Sequence, residues 1–130
     1  MTARVSRGLC GAFFVGAGIL HFVRPKMYEE IVPPGFGDPP TVVLISGAAE
    51  IVGGLSLAAS GGRRLSRWWL VGLLVAVFPA NVYMALEPQR SGLPGWLLWA
   101  RLPLQPLVIW WVWAVTRRSP RRAPTDAGDR

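Results

Sequence analysis

The sequence predicts an all-α fold, a bundle of four transmembrane helices with both termini cytoplasmic, and three observations predict it. Of the 130 residues, 52% are hydrophobic and only 16% charged, where a soluble domain carries about 25% charged residues. The apolar residues gather in four blocks, each close to the ~20 residues that cross a bilayer. The basic residues lie between and around these blocks in an uneven pattern. Four crossings within these 130 residues leave room only for short loops and a tail, so a separate soluble catalytic domain is excluded. A lone cysteine excludes an internal disulfide and a CxxC redox pair, and a lone histidine excludes HExxH and Cys2His2 zinc patterns.

The first block, Gly8 to Val23, lies between Arg7 and Arg24. Both arginines can snorkel outward, which extends the span to about 6–24. Three further apolar blocks follow and no A-x-A-like cleavage site does, which favours a span over a signal peptide. The connector RPKMYEEIVPPGFGDPP, Arg24 to Pro40, holds five prolines and two glycines. It can form no long helix, only one or two turns over Lys26 to Val32 on the membrane surface. A second span covers about 41–60 and carries Glu50 near its middle. SGGRRLSR turns the chain into a third span, about 67–87, which contains Pro79 and Asn81. EPQRSGLPG leads to the fourth, about 96–116, with Arg101 near its start. Residues 1–116 thus form the membrane domain, and 117–130 are a basic tail with the composition of a disordered cytoplasmic end.

Orientation follows from the basic residues. With the N-terminus inside, the cytoplasmic side holds Arg4, Arg7, Arg63, Arg64, Arg67, Arg117, Arg118, Arg121, Arg122 and Arg130, ten in all. The other side holds four: Arg24, Lys26, Arg90 and Arg101. Trp68, Trp69, Trp111 and Trp113 then fall at the inner surface and Trp96 and Trp99 at the outer, as aromatic belts require. The net charge of +7 is read as topology plus attraction to anionic lipid. No soluble face interleaves basic and aromatic residues, so no nucleic-acid partner is expected.

A polar residue in hydrocarbon costs free energy and needs a partner or a task. Five stand out: His21, Glu50, Asn81, Arg101 and Gln105. In this topology His21 is near the outer end of the first helix, Glu50 is midway along the second, and Asn81 is in the outer half of the third. Arg101 lies near the outer surface of the fourth, with Gln105 one turn deeper on the same face. All five converge on the outer half of the bundle, as a pocket or proton relay would require. An isolated carboxylate in hydrocarbon protonates rather than staying charged. Glu50 is therefore expected at the centre, with Arg101 as its electrostatic neighbour, directly or through Gln105 or water. Pro79, Pro103 and Pro106 each remove a helical donor and are expected to kink their helices beside the polar residues. Small residues form stripes on the first two helices, Gly11 and Gly18 with His21, and Gly47, Gly53 and Gly54 with Glu50, which allow close approach. Gly8, Ala12 and Gly16 form another, suited to contacts within the bundle or between two copies. Cys10 lies far from the polar cluster and reads as a packing residue. No metal site is expected, since a facial triad needs two histidines.

GILHFVRPKMYEEIVPP, SGAAEIVGGLSL, VAVFPANVYMAL and LWARLPLQPLVIWWVW, in that order, resemble the small bacterial DoxX-type four-helix membrane proteins over about Gly18 to Trp113. The resemblance implies a plasma-membrane protein, and for some relatives an association with redox enzymes and quinone. The leading expectation is an accessory multi-pass protein of redox or quinone metabolism. It would hold a quinone head or another small molecule in the outer-half pocket, without being an independent enzyme. A redox enzyme, the lipid bilayer and a second copy of the chain are its expected partners. A small transporter with Glu50 as coupling site and an inactive structural scaffold are the alternatives. No other cofactor is evident.

Overall fold

The computed structural model describes residues 2–59 and 63–117; the tail expected to be disordered lies almost wholly outside them. Every regular element among the described residues is helical. α1 is Ala3–Val23, α2 Pro25–Glu29, α3 Pro39–Ala58, α4 Arg63–Leu86, α5 Pro88–Ser91 and α6 Gly95–Thr116. α1, α3 and α4 are each long and apolar enough to cross a membrane. α6 matches them in length at 22 residues, but Arg101, Gln105, two prolines and its tryptophans dilute its hydropathy. The single turn α5 was not expected; Pro88 starts it and Gly92, at φ 68°, ends it.

Local chemistry sets the ends. Thr2 caps α1 by accepting from the Val5 amide at 3.4 Å. Asp38 caps α3, its carboxylate accepting from the Thr41 amide at 3.2 Å and from the Thr41 hydroxyl at 2.7 Å. Pro39 and Pro40 fill the first turn, where a missing amide hydrogen costs nothing. The prolines that end the connector therefore also begin the next long helix.

The four long helices form a ring in which α1 pairs most extensively with α3, and α4 with α6, while α3–α4 and α1–α6 contacts close it. Glycine makes the α1–α3 pairing possible. A Cβ on Gly11 would stand 2.6 Å from the Gly54 carbonyl oxygen, and one on Gly18 would stand 2.6 Å from that of Gly47. The two helices touch backbone to backbone at two levels, seven residues apart on each chain segment. Gly8, Ala12 and Gly16 face outward instead, and nothing lies within 4 Å of a Cβ on Gly8 or Gly16. That stripe takes no part in packing within the bundle.

Two apolar clusters hold the ring together. One joins Cys10, Phe14, Leu57, Leu70, Val112 and Val115. The other joins Ile31, Met84, Ala85 and Leu98 at the far end, with Tyr28 and Leu102 packed against it. Many large apolar side chains point outward, among them Leu9, Ile45, Leu65, Val75, Trp96 and Trp110. Continuous apolar surface of that kind is unfavourable in water and suits a hydrocarbon solvent.

Polar clamps fix the end of the bundle where α4 starts. Arg67 donates through Nε to the Thr116 hydroxyl and through a terminal nitrogen to the Thr116 carbonyl, both at 2.8 Å. Its guanidinium also lies 4.4 Å from the centre of the Trp113 ring. One side chain thereby ties α4 to the last turn of α6. Arg67→Ala is expected to cost about 2 kcal/mol, from charge-assisted hydrogen bonds and the ring contact. The midpoint of unfolding by denaturing detergent measures it, and an unchanged midpoint would contradict this assignment.

Candidate functional site

Between the two apolar clusters lies a cavity of about 590 Å³, and all five polar residues singled out in the sequence line it. They come from four helices. α1 contributes His21, α3 Glu50, α4 Asn81, and α6 both Arg101 and Gln105. The walls are otherwise apolar and aromatic, with Phe13, Phe14, Phe36, Val77 and Leu104 among them. A volume of this size suits a drug-sized ligand, and a mostly apolar wall with a few convergent polar groups is the usual form of such sites.

His21 and Glu50 face each other where α1 and α3 pack closely. The His21 Nδ1 lies 2.9 Å from the Ala17 carbonyl oxygen and 3.2 Å from Glu50 Oε2. The Ala17 carbonyl oxygen can only accept, so Nδ1 carries a proton and donates it in a hydrogen bond one turn back. Glu50 Oε2 accordingly has a close imidazole neighbour but no hydrogen bond, although it is buried. Tyr28 covers the other side of this pair, its ring stacked on His21 at 3.9 Å and 20°. Burial raises the Tyr28 phenol above its usual value; the charge of Glu50 adds to the rise and that of Arg101 opposes it. The phenol therefore feels both charged residues of the cavity.

Asn81 and Gln105 form a second polar unit. The Asn81 amide nitrogen donates to the Gln105 side-chain oxygen at 2.5 Å, and the Gln105 nitrogen donates to the Leu74 carbonyl. This bridge joins α4 to α6 just before Pro79. The expected kinks are not visible as breaks: α4 runs unbroken through Pro79, and α6 through Pro103 and Pro106. All three prolines sit on the exposed outer face. An extra bond from Gln105 lies beside the turn of α4 that Pro79 weakens.

Arg101 departs from expectation. The partner of Glu50 is His21, and Arg101 donates instead to the Met84 sulfur at 3.5 Å. Among the described residues no carboxylate lies within 4.0 Å of its guanidinium. The reason is helix pairing: Glu50 faces α1 across the glycine contact, while Arg101 faces Met84 near the C-terminal end of α4. Direct Glu50–Arg101 pairing is corrected to two separate polar centres in one cavity.

Sequence reasoning missed Tyr28, Met84 and Phe36. Tyr28 and Phe36 belong to the connector, and nothing in its composition says that it folds over the cavity mouth. A signal did exist for Tyr28, since Pro25 at a helix start places it on the second turn after His21. Among the described residues no group of His, Cys, Asp and Glu could hold a metal ion.

No curated protein and no solved structure matches the chain. A family match does cover residues 10–116, which takes in α1 from Cys10 onward, all of α3, α4 and α6, and every residue of the cavity. The chain belongs to the family described as Domain of unknown function (DUF8561).

Proposed function

We propose that this is a multi-pass plasma-membrane protein that binds a small molecule with an apolar body and a polar head in the outer half of its bundle. The observation that carries the reading is the cavity of about 590 Å³ into which five polar residues from four helices converge. Structural polar residues pair with each other and close the space between them; here Glu50 Oε2 is left without a hydrogen bond beside open volume. The resemblance to DoxX-type proteins adds the biological setting: an accessory role in bacterial redox or quinone metabolism, beside a partner enzyme. A quinone suits the lining, with its ring among Phe13, Phe14 and Phe36 and its carbonyl oxygens within the donor set of Arg101 and Gln105.

Titrating the purified protein with a decyl-chain quinone tests it by difference spectroscopy. A saturable spectral change is expected, and Ala80→Trp, which fills the cavity from its α4 wall, is expected to abolish it while leaving helicity intact. An unchanged response in that variant would overturn the reading.

In this proposal α6 is the fourth span and both termini are cytoplasmic, on the warrant of the ten-to-four distribution of basic residues. A membrane-impermeant thiol reagent applied from outside is expected to label Gly35→Cys and to miss Arg64→Cys and Thr125→Cys. Native Cys10 does not interfere, because it is fully buried. Labelling of all three from outside would contradict the orientation.

A further inference from the structure

Arg101 brings a charge into the cavity that the fold itself does not explain. Its guanidinium has five N–H donors and stays charged under all physiological conditions. Among the described residues it makes one hydrogen bond, to a thioether sulfur, which is a weak acceptor. Among the same described residues no carboxylate lies within 4.0 Å, and no aromatic ring takes it as a cation–π partner. The contrast with Arg67 is direct, since that arginine has two oxygen acceptors and a tryptophan face. Arg101 is half-buried and lines the cavity beside apolar Val77 and Leu104. A cation held there without an acceptor carries a desolvation cost that an incoming anion would offset.

The groups around it define that anion. Glu50, the acid of the cavity, belongs to the opposite helix pair and lies against His21. Tyr28 lines the same cavity, and its hydroxyl is a further donor. A permanently charged guanidinium disfavours a cationic head in the same space. A neutral head can accept a hydrogen bond, but a charged oxygen makes one roughly twice as strong and can engage the guanidinium at two points. The remaining wall is apolar, so the body of the ligand must be apolar too.

Resting on the reading of this cavity as a ligand site, we infer that it selects an amphiphile with an oxyanion head, a carboxylate or phosphate oxygen on an apolar body, and that Arg101 reads the charge. A quinone carbonyl meets the same donors as a neutral acceptor and ranks below an oxyanion of similar body.

The test compares heads on one chain. Full-length protein in nanodiscs of phosphatidylcholine is titrated with dodecanoate, dodecanol and dodecyltrimethylammonium, with binding to empty discs subtracted. Dodecanoate is expected to bind about tenfold more tightly than dodecanol, the advantage of a charge-assisted bond over a neutral one. Arg101→Gln is expected to remove that preference, so that dodecanoate binds no more tightly than dodecanol. Repeating the titration in discs containing phosphatidylglycerol separates the sources. Competition with dodecanoate supports a lipid phosphate as the native occupant, and its absence supports a free anionic amphiphile; either outcome upholds the head chemistry. Equal affinity for dodecanoate and dodecanol in the unmodified protein, or tightest binding of the cation, overturns the inference and leaves the ligand site standing. Failure of all three to bind saturably overturns the ligand site as well. The comparison of heads uses the unmodified chain, so it decides the matter even if the variant folds poorly.

Discussion

Gly54→Leu is expected to disrupt the α1–α3 pairing and to lower stability by on the order of 3 kcal/mol or more. A Cβ there would stand 2.6 Å from the Gly11 carbonyl oxygen and 2.9 Å from the Val15 amide nitrogen. Both obstacles are backbone, so no rotamer change relieves them, and α1 must move away along the length of the contact. The movement would reach the ligand site, because the same contact continues through Gly18 and Gly47 to His21: a Cβ on Gly47 would stand 2.7 Å from the His21 Cβ. Gly16→Leu is the matched control. It introduces the same side chain on α1 with nothing within 4 Å of the new Cβ, and it is expected to fold normally. Unfolding midpoints in detergent should separate the two variants clearly, and similar midpoints would refute backbone contact as the basis of the pairing.

Glu50→Gln and His21→Asn are each expected to weaken binding of the decyl-chain quinone by about tenfold, with helicity retained, by disturbing the His21–Glu50 pair on the cavity wall, worth about one hydrogen bond. The double variant is expected to lose clearly less than the sum, with a coupling of about 1 kcal/mol, because the two groups lie 3.2 Å apart and act on the occupant as a unit. Pairing Glu50→Gln with Arg101→Gln should give a smaller coupling, since the two side chains make no ion pair. A binding-based mutant cycle measures both. Strong coupling to Arg101 and none to His21 would restore the arrangement expected from sequence and contradict the geometry.

The contrast between those two cycles shows what the chain order could reveal. Convergence was legible: counting residues along alternating helices puts His21, Glu50, Asn81, Arg101 and Gln105 in the same half of the bundle, and all five line one cavity. Close packing of α1 on α3 was legible too, because glycines recur at positions that share a helical face. Azimuth was not legible. Which residue faces which depends on how each helix is rotated, and the glycine contact turns Glu50 toward His21 rather than toward α6. The role of the connector was hidden for a related reason. Its prolines and the positive-φ glycines Gly35 and Gly37 say that it is not a long helix, but not that Tyr28 and Phe36 fold back over the cavity. Pro79, Pro103 and Pro106 were conspicuous in sequence, yet they sit on the outer face while the helices run on.

The central claim is that a small amphiphile occupies the outer-half cavity and is not merely dissolved in lipid around the bundle. Photoaffinity labelling of the full-length protein in nanodiscs, read by mass spectrometry with and without excess unlabelled ligand, tests it most directly. A diazirine-bearing alkyl carboxylate is expected to modify cavity residues such as Phe14, Tyr28 and Leu104, and excess dodecanoate is expected to suppress those adducts. Adducts confined to outward-facing residues such as Ile45, Leu65 and Trp110, insensitive to the competitor, would contradict it.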